Sequence, residues 1–202
     1  EPGDAWTGDF FSECREDPRS VSNREKLAHL QQMQATLAGM SPRVSSAMVR
    51  YGERVDRRIY VNRTKRLFQE LVNTVCVPVA IVSDGKQSKV YHAGNGIQGG
   101  FEIARISDEA LSVTVTHAEK LLSAKPVQPG VYDVVGGPAL AGVIAHEAFG
   151  HGVEADMFLK KRAMAAQFMN RRVANDVVDL IDNPALPGQS GSYFFDDEGQ
   201  KA

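Results

Sequence analysis

The sequence is poor in several things, and each shortage closes off a class of protein. Its 202 residues include only two cysteines, Cys14 and Cys76, far apart and in no C-x-x-C pair. That rules out a disulfide framework and fits a reducing compartment. Basic charge is not in excess: 23 Lys and Arg stand against 25 Asp and Glu, for a net charge of −2. A nucleic-acid partner needs a cationic surface to displace counterions from phosphates, so DNA or RNA binding is disfavoured. The clusters Lys160-Lys161-Arg162 and Arg171-Arg172 read as solvated faces. No apolar run approaches the ~18 residues of a membrane span. Internal repeats and low-complexity tracts are absent, and no signal peptide is visible. The sequence opens on Glu1 instead of Met, so it does not exclude a removed signal ahead of residue 1.

What is present suits a globular domain. Apolar residues make up 43% and charged residues 24%, which argues against a disordered chain. Residues 1–20 are polar and broken by Pro2, Gly3, Gly8 and Pro18, and are expected to be irregular. Ser22 and Glu25 form a capping box, and Leu27, Leu30, Met33 and Leu37 repeat at helical spacing up to Gly39. Residues 43–93 change period. Short β-like runs lie between Val44 and Val61 and a longer one spans Leu67–Val82, then Asp84-Gly85 makes a turn and Lys89–His92 return as a strand. Ser107 caps a second helix with Leu111, Val115, Ala118 and Leu122 on one face, stopped by Pro126 and Pro129. Val131–Val135 read as a buried strand. A third helix begins at Pro138, in the favoured first turn, and Val173–Ile181 suggest a further strand. The fold class expected is α/β of the α+β type, a mostly antiparallel, curved sheet packed with helices.

The chemistry sits in Val143–Met157, VIAHEAFGHGVEADM. A neutral imidazole is a good zinc ligand, and a Glu beside the ion can take a proton from the attacking water. That is the logic of the H-E-x-x-H zinc peptidases. Here the spacing is one residue longer, His146-Glu147-Ala148-Phe149-Gly150-His151. At 3.6 residues per turn, positions four apart lie about 40° apart around a helix, and positions five apart about 140°. His146 and His151 can share one ion only if the helix widens into a π-turn or breaks between them. A bulge or helix end is therefore expected at Ala148–Gly152, with Gly150 and Gly152 supplying the backbone freedom. Glu154 or Asp156 could orient a ligand histidine, or could equally be a solvated acid.

Other signals carry less. Gly94-Asn95-Gly96-Ile97-Gln98-Gly99 spells G-x-G-x-x-G, but it runs into Phe101-Glu102-Ile103 instead of opening a helix, so a turn is expected and not a dinucleotide site. His29, His92 and His117 read as packed or solvated residues, and Cys76 as a small buried hydrophobe.

The HEAFGHGVEADMF stretch resembles the zinc motif of the TldD/PmbA family, once described as modulators of DNA gyrase. Phe195-Asp196-Asp197-Glu198-Gly199 is similar to that family's downstream DDEG stretch, Pro129–Val135 to its lead-in strand, Gly99–Glu102 to its glycine-rich segment, and Ser22–Leu27 to the start of a helix. The likeness covers most of residues 20–200 and places residues 21–202 in the central part of such a metallopeptidase domain, without the family's C-terminal β domain. It implies a Zn²⁺-dependent peptidase acting on peptides or small unfolded proteins, with His146 and His151 as metal ligands and Glu147 as general base. It implies a bacterial cytoplasmic protein and a homodimer, or a heterodimer with a PmbA/TldE-like subunit; this chain resembles the metal-bearing, TldD-like member. The family's third ligand is a distant downstream cysteine, which neither Cys14 nor Cys76 matches. A chain limited to these residues would then be inactive. A non-catalytic subunit that holds substrate or partner, and a metal hydrolase with a non-peptide substrate, are the other readings. Cleavage specificity is not written in any local pattern.

Overall fold

The computed structural model describes residues 5–202, and these separate into two compact units, Glu1–Pro126 with Pro184–Ala202, and Val127–Asn183. The first unit is built on one strand. In chain order its elements are β1 (Trp6–Phe11), α1 (Asn23–Gly39), β2 (Val44–Val61), β3 (Lys65–Ser83), β4 (Ser88–His92), β5 (Asn95–Gln98) and α2 (Asp108–Leu122). β3, 19 residues long, pairs antiparallel along almost its whole length with β2. Its other edge is shared by three short strands in succession: β1 in parallel at Lys65–Glu70, then β5 and β4 antiparallel at Asn73–Cys76 and Val79–Ser83. The result is an open, mostly antiparallel five-stranded sheet packed with helices.

Side chains on a strand alternate between faces, so the burial pattern of β3 shows what covers it. Lys65, Leu67, Gln69 and Leu71 are buried, and then the phase changes: Val72, Thr74, Cys76, Pro78, Ala80 and Val82 are buried instead. One face of the sheet is therefore covered at one end of β3 and the opposite face at the other. The second face receives α1 and α2, whose Met33, Leu37, Leu111, Val115, Ala118 and Leu122 join Cys76, Ala80, Val82 and Phe101 in the main core. The first receives the chain's last residues. Gln69 holds them by its amide, donating to the Phe195 carbonyl (3.1 Å) and accepting from the Phe194 N–H (2.9 Å), while Lys65 Nζ donates to the Gly199 carbonyl at 2.8 Å. Phe195 is buried against Trp6 and Phe10.

Both N-caps act as expected: Ser22 Oγ accepts from Glu25 N, and Ser107 Oγ from Ala110 N. Two expectations change in this unit. Residues 1–20 are not wholly irregular, because Trp6–Phe11 form β1 with alternate residues turned inward. The glycine-rich Gly94–Gly99 stretch is largely strand β5 and not a turn; Gly94 and Gly99 bound it with φ of +138° and +157°. A side chain at Gly94 would meet the Cys76 carbonyl at 2.3 Å, so this glycine permits the close approach of β5 to β3.

Val131–Val135 and Val173–Ile181 form no strands. They belong to the second unit, which contains helices and 3-10 turns but no strand to pair with. None of its described residues is buried, and Val131 and Val135 are fully exposed. No helix among the described residues is long and apolar enough to cross a membrane.

Glu102 ties the N-terminal segment to the core. Its carboxylate accepts from the backbone N–H groups of Arg15 (3.2 Å), Glu16 (2.9 Å) and Gly100 (2.9 Å). Burial raises the pKa of this acid, and those N–H donors outweigh it, so the carboxyl titrates below the ordinary Glu range. A depressed folded pKa stabilises above the unfolded value of ~4.3 and the contribution is lost as pH falls through the folded one. Glu102→Gln is accordingly expected to cost about 1–3 kcal/mol at neutral pH, with the difference from wild type shrinking in acid. Urea unfolding of both proteins across pH 3–7 checks it; a gap that stays constant would show that the charge is not what matters.

Candidate metal centre

The second unit carries the expected motif. Helix α3 (Pro138–Ala148) starts with proline at its first turn, where a missing N–H costs nothing, and stops at Ala148, one residue after Glu147. Phe149 has φ −141° and ψ −32°, outside helical geometry. A 3-10 turn, Gly150–Val153, follows, and then the short helix α4 (Ala155–Leu159). The motif thus lies on a broken helix, as its spacing requires.

The break is not made as the sequence suggests. Neither Gly150 nor Gly152 adopts a positive φ. A methyl group on Gly150 would meet only ordinary van der Waals neighbours, the Ala145 carbonyl at 3.6 Å and His146 Nδ1 at 4.0 Å. Phe149 turns the backbone, and the tighter 3-10 winding carries His151 round.

The consequence is convergence. The His146 and His151 rings lie 4.3 Å apart between centroids, at 70° to each other. One ligand atom from each of His146, Glu147 and His151 lies within 4.8 Å of the others. Two ligands of one tetrahedral zinc, each at ~2.1 Å, stand roughly 3.4 Å apart. Small side-chain rotations close that gap, since all three groups are exposed. Two imidazoles and a carboxylate are also the donor types zinc accepts, so the residues fit the metal.

Of the two nearby acids, the structure separates what the sequence left open. Glu154 Oε1 lies 2.6 Å from His151 Nδ1. Asp156 turns away and pairs with Lys160 Nζ at 2.7 Å, and that hydrogen bond holds its carboxyl below the usual Asp range. A cavity of about 530 Å³ opens beside His146 and Glu154, lined also by Phe149, Val153, Leu180 and Ile181. Its size is in the range of small-ligand sites. Leu180 and Ile181 carried no functional signal in the sequence, where Val173–Ile181 read as a strand that does not form.

The other residues singled out serve structure in the first unit. Asp196 Oδ1 accepts from Glu198 N and Gln200 N, closing a turn in which Gly199 has φ +68°, and Asp197 pairs with Arg58 at 2.9 Å. The DDEG stretch is thus a latch on the sheet. Cys76 is 1% exposed, and burial pushes its thiol up to about 11. His29 contacts the Ala104 carbonyl at 3.0 Å, while His92 and His117 both lie against Tyr91.

Comparison with known proteins points the same way. Residues 129–202 match the family described as PmbA/TldA metallopeptidase C-terminal domain. A metalloprotease of Methanothermobacter thermautotrophicus is 34% identical over 162 residues, covering 79% of this chain and 36% of the relative. One from Archaeoglobus fulgidus is 30% identical over 198 residues, covering 98% of this chain and 46% of the relative. The chain belongs to the TldD/PmbA metallopeptidase family. A more distant relative, 21% identical over 182 residues with 88% of this chain and 40% of its own length covered, is the zinc metalloprotease TldD homolog of Saccharolobus solfataricus. The chain spans less than half the length of each of these relatives.

Because Phe149 makes the break, Gly150→Ala is expected to change zinc affinity less than about threefold, within the ~0.5 kcal/mol typical of a surface substitution. Competition with a chromophoric chelator measures it. A tenfold loss would return the role to the glycine.

Proposed function

We propose that this chain carries most of the zinc centre of a peptidase that hydrolyses peptides or small unfolded proteins. The observation that carries the reading is the convergence of His146, Glu147 and His151 across a broken helix. His146 and His151 would hold the ion through ring nitrogens. Zinc in such a site supplies Lewis-acid polarisation of the scissile carbonyl and brings the pKa of water toward ~7. Glu147 takes the proton of the attacking water and later delivers it to the leaving amine. The cavity lined by Phe149, Val153, Leu180 and Ile181 suits an apolar side chain of the substrate.

Catalytic zinc sites use three protein ligands. With Glu147 kept as the base, the described residues supply two. We assign the third to the part of the whole protein outside this chain, in keeping with the greater length of the relatives. The same part would cover the apolar side chains that Val127–Asn183 leaves exposed. A homodimer, or a heterodimer with a PmbA/TldE-like subunit, is the assembly this reading favours.

Two experiments test it. In the whole protein, His146→Ala is expected to lose near-stoichiometric zinc and peptide cleavage together, whereas Glu147→Gln keeps the zinc and lowers kcat by about 10²–10⁴. Absence of zinc from the wild-type protein would favour a subunit that binds substrate or partner without cleaving it. The 202-residue chain alone is expected to bind zinc weakly and to show no hydrolysis; robust, chelator-sensitive cleavage by it would refute the assignment of the third ligand.

A further inference from the structure

We propose that Glu154 is a positioning residue that fixes the tautomer of His151, holding the ring proton on Nδ1 and leaving Nε2 for the ion. This rests on the metal-site reading above, and its test separates the two.

The geometry begins with the break. In a 3-10 helix there are three residues per turn, so side chains at i and i+3 eclipse one another; in an α-helix the same pair is offset by about 60°. His151 lies in the 3-10 turn Gly150–Val153, and Glu154 is the residue three further on. Its φ of −60° continues the turn, and its ψ of 129° leaves it. The carboxylate therefore falls in line with the imidazole, with Oε1 at 2.6 Å from Nδ1. A carboxylate only accepts, so Nδ1 must be the donor and carry the proton. In the neutral ring the free lone pair then sits on Nε2. That nitrogen is the one that faces the rest of the site: it lies 3.9 Å from Glu147 Oε2. The ring is thus held at one end by Glu154 and presented at the other toward Glu147, the side on which the ion would be held.

The neighbouring acid supplies the contrast. Asp156 is two residues beyond Glu154, is the second residue of α4, and is taken by Lys160 one helical turn later. It has no part in orienting His151, and Asp156→Ala serves as the control. A hydrogen-bonded carboxylate behind a ligand histidine fixes ring orientation, and its removal generally costs 10- to 100-fold in metal affinity.

The test has two readouts on the ¹⁵N-histidine-labelled whole protein. The first is the ring tautomer of His151 without metal, read from long-range ¹H–¹⁵N correlations at a pH where the ring is neutral. The second is zinc affinity by chelator competition. Wild type should show the proton on Nδ1. Glu154→Ala should lose that preference and bind zinc at least tenfold more weakly, and Glu154→Gln, which keeps an acceptor oxygen, should recover most of both. Asp156→Ala should match wild type. A Glu154→Ala protein with the wild-type tautomer and wild-type zinc affinity would overturn the proposal. If wild type binds no zinc yet its tautomer shifts in Glu154→Ala, the positioning stands and the metal reading falls.

Discussion

Two imidazoles five positions apart cannot face the same point on a regular α-helix, and this constraint governs everything at the site. The chain meets it with a helix end at Ala148, a non-helical Phe149 and a 3-10 turn, bringing the His146 and His151 rings to 4.3 Å. A break in the middle of an exposed segment has little packing to hold it. No described residue of Val127–Asn183 is buried, so local hydrogen bonds such as Phe149 N to the Ala145 carbonyl and Gly152 N to the Phe149 carbonyl carry the geometry here. Exposed hydrogen bonds contribute only about 1 kcal/mol each, too little to fix the two rings to the tolerance that the proposed catalysis needs, which is why that proposal calls on a covering surface.

The first unit solves the opposite problem. It has ample burial, and its difficulty is to cover both faces of a 19-residue strand with two short helices and one terminal segment. The change of burial phase at Leu71–Val72 is the answer: α1 and α2 pack on one face near one end, and residues 193–202 on the other face near the other end. Gln69 shows why the terminal segment stays in place. It is fully buried, and its amide is satisfied on both atoms by backbone of Phe194 and Phe195, so peeling the segment away would strand a polar group in an apolar setting.

How much of this could be read from the sequence depends on which force sets each element. Helices α1 and α2 were legible because cap and periodicity agree: Ser22 and Ser107 sit where their hydroxyls accept from the third residue on, and Leu111, Val115, Ala118 and Leu122 form one buried stripe. The antiparallel strands of residues 43–93 and the Asp84-Gly85 turn were legible from β-like runs and turn residues. β1 was hidden because glycine and aspartate interrupt Trp6–Phe11, and it forms by pairing with Lys65–Glu70, far away in the chain. Val131–Val135 failed in the other direction. Its residues favour a strand, but a strand needs a partner, and its unit has none among the described residues. At the candidate metal centre, the need for a break between His146 and His151 was readable from spacing. That Phe149 and not a glycine would make the break was not, because several backbone paths satisfy the same constraint.

The longer spacing carries a compensation that the shorter motif lacks. In H-E-x-x-H both histidines lie on one uninterrupted helical face, and an acid three residues after the second would be rotated about 60° away from it. Tightening the winding after His151 removes that offset and puts Glu154 directly in line with the ring. The turn that repairs the divergence of His146 and His151 thus also supplies the hydrogen bond that, in the proposal above, selects which nitrogen of His151 is free. On this argument the acid three places after the second histidine is part of the same solution as the extra residue between the two, and altering the winding of Gly150–Val153 would disturb ligand convergence and ring orientation together.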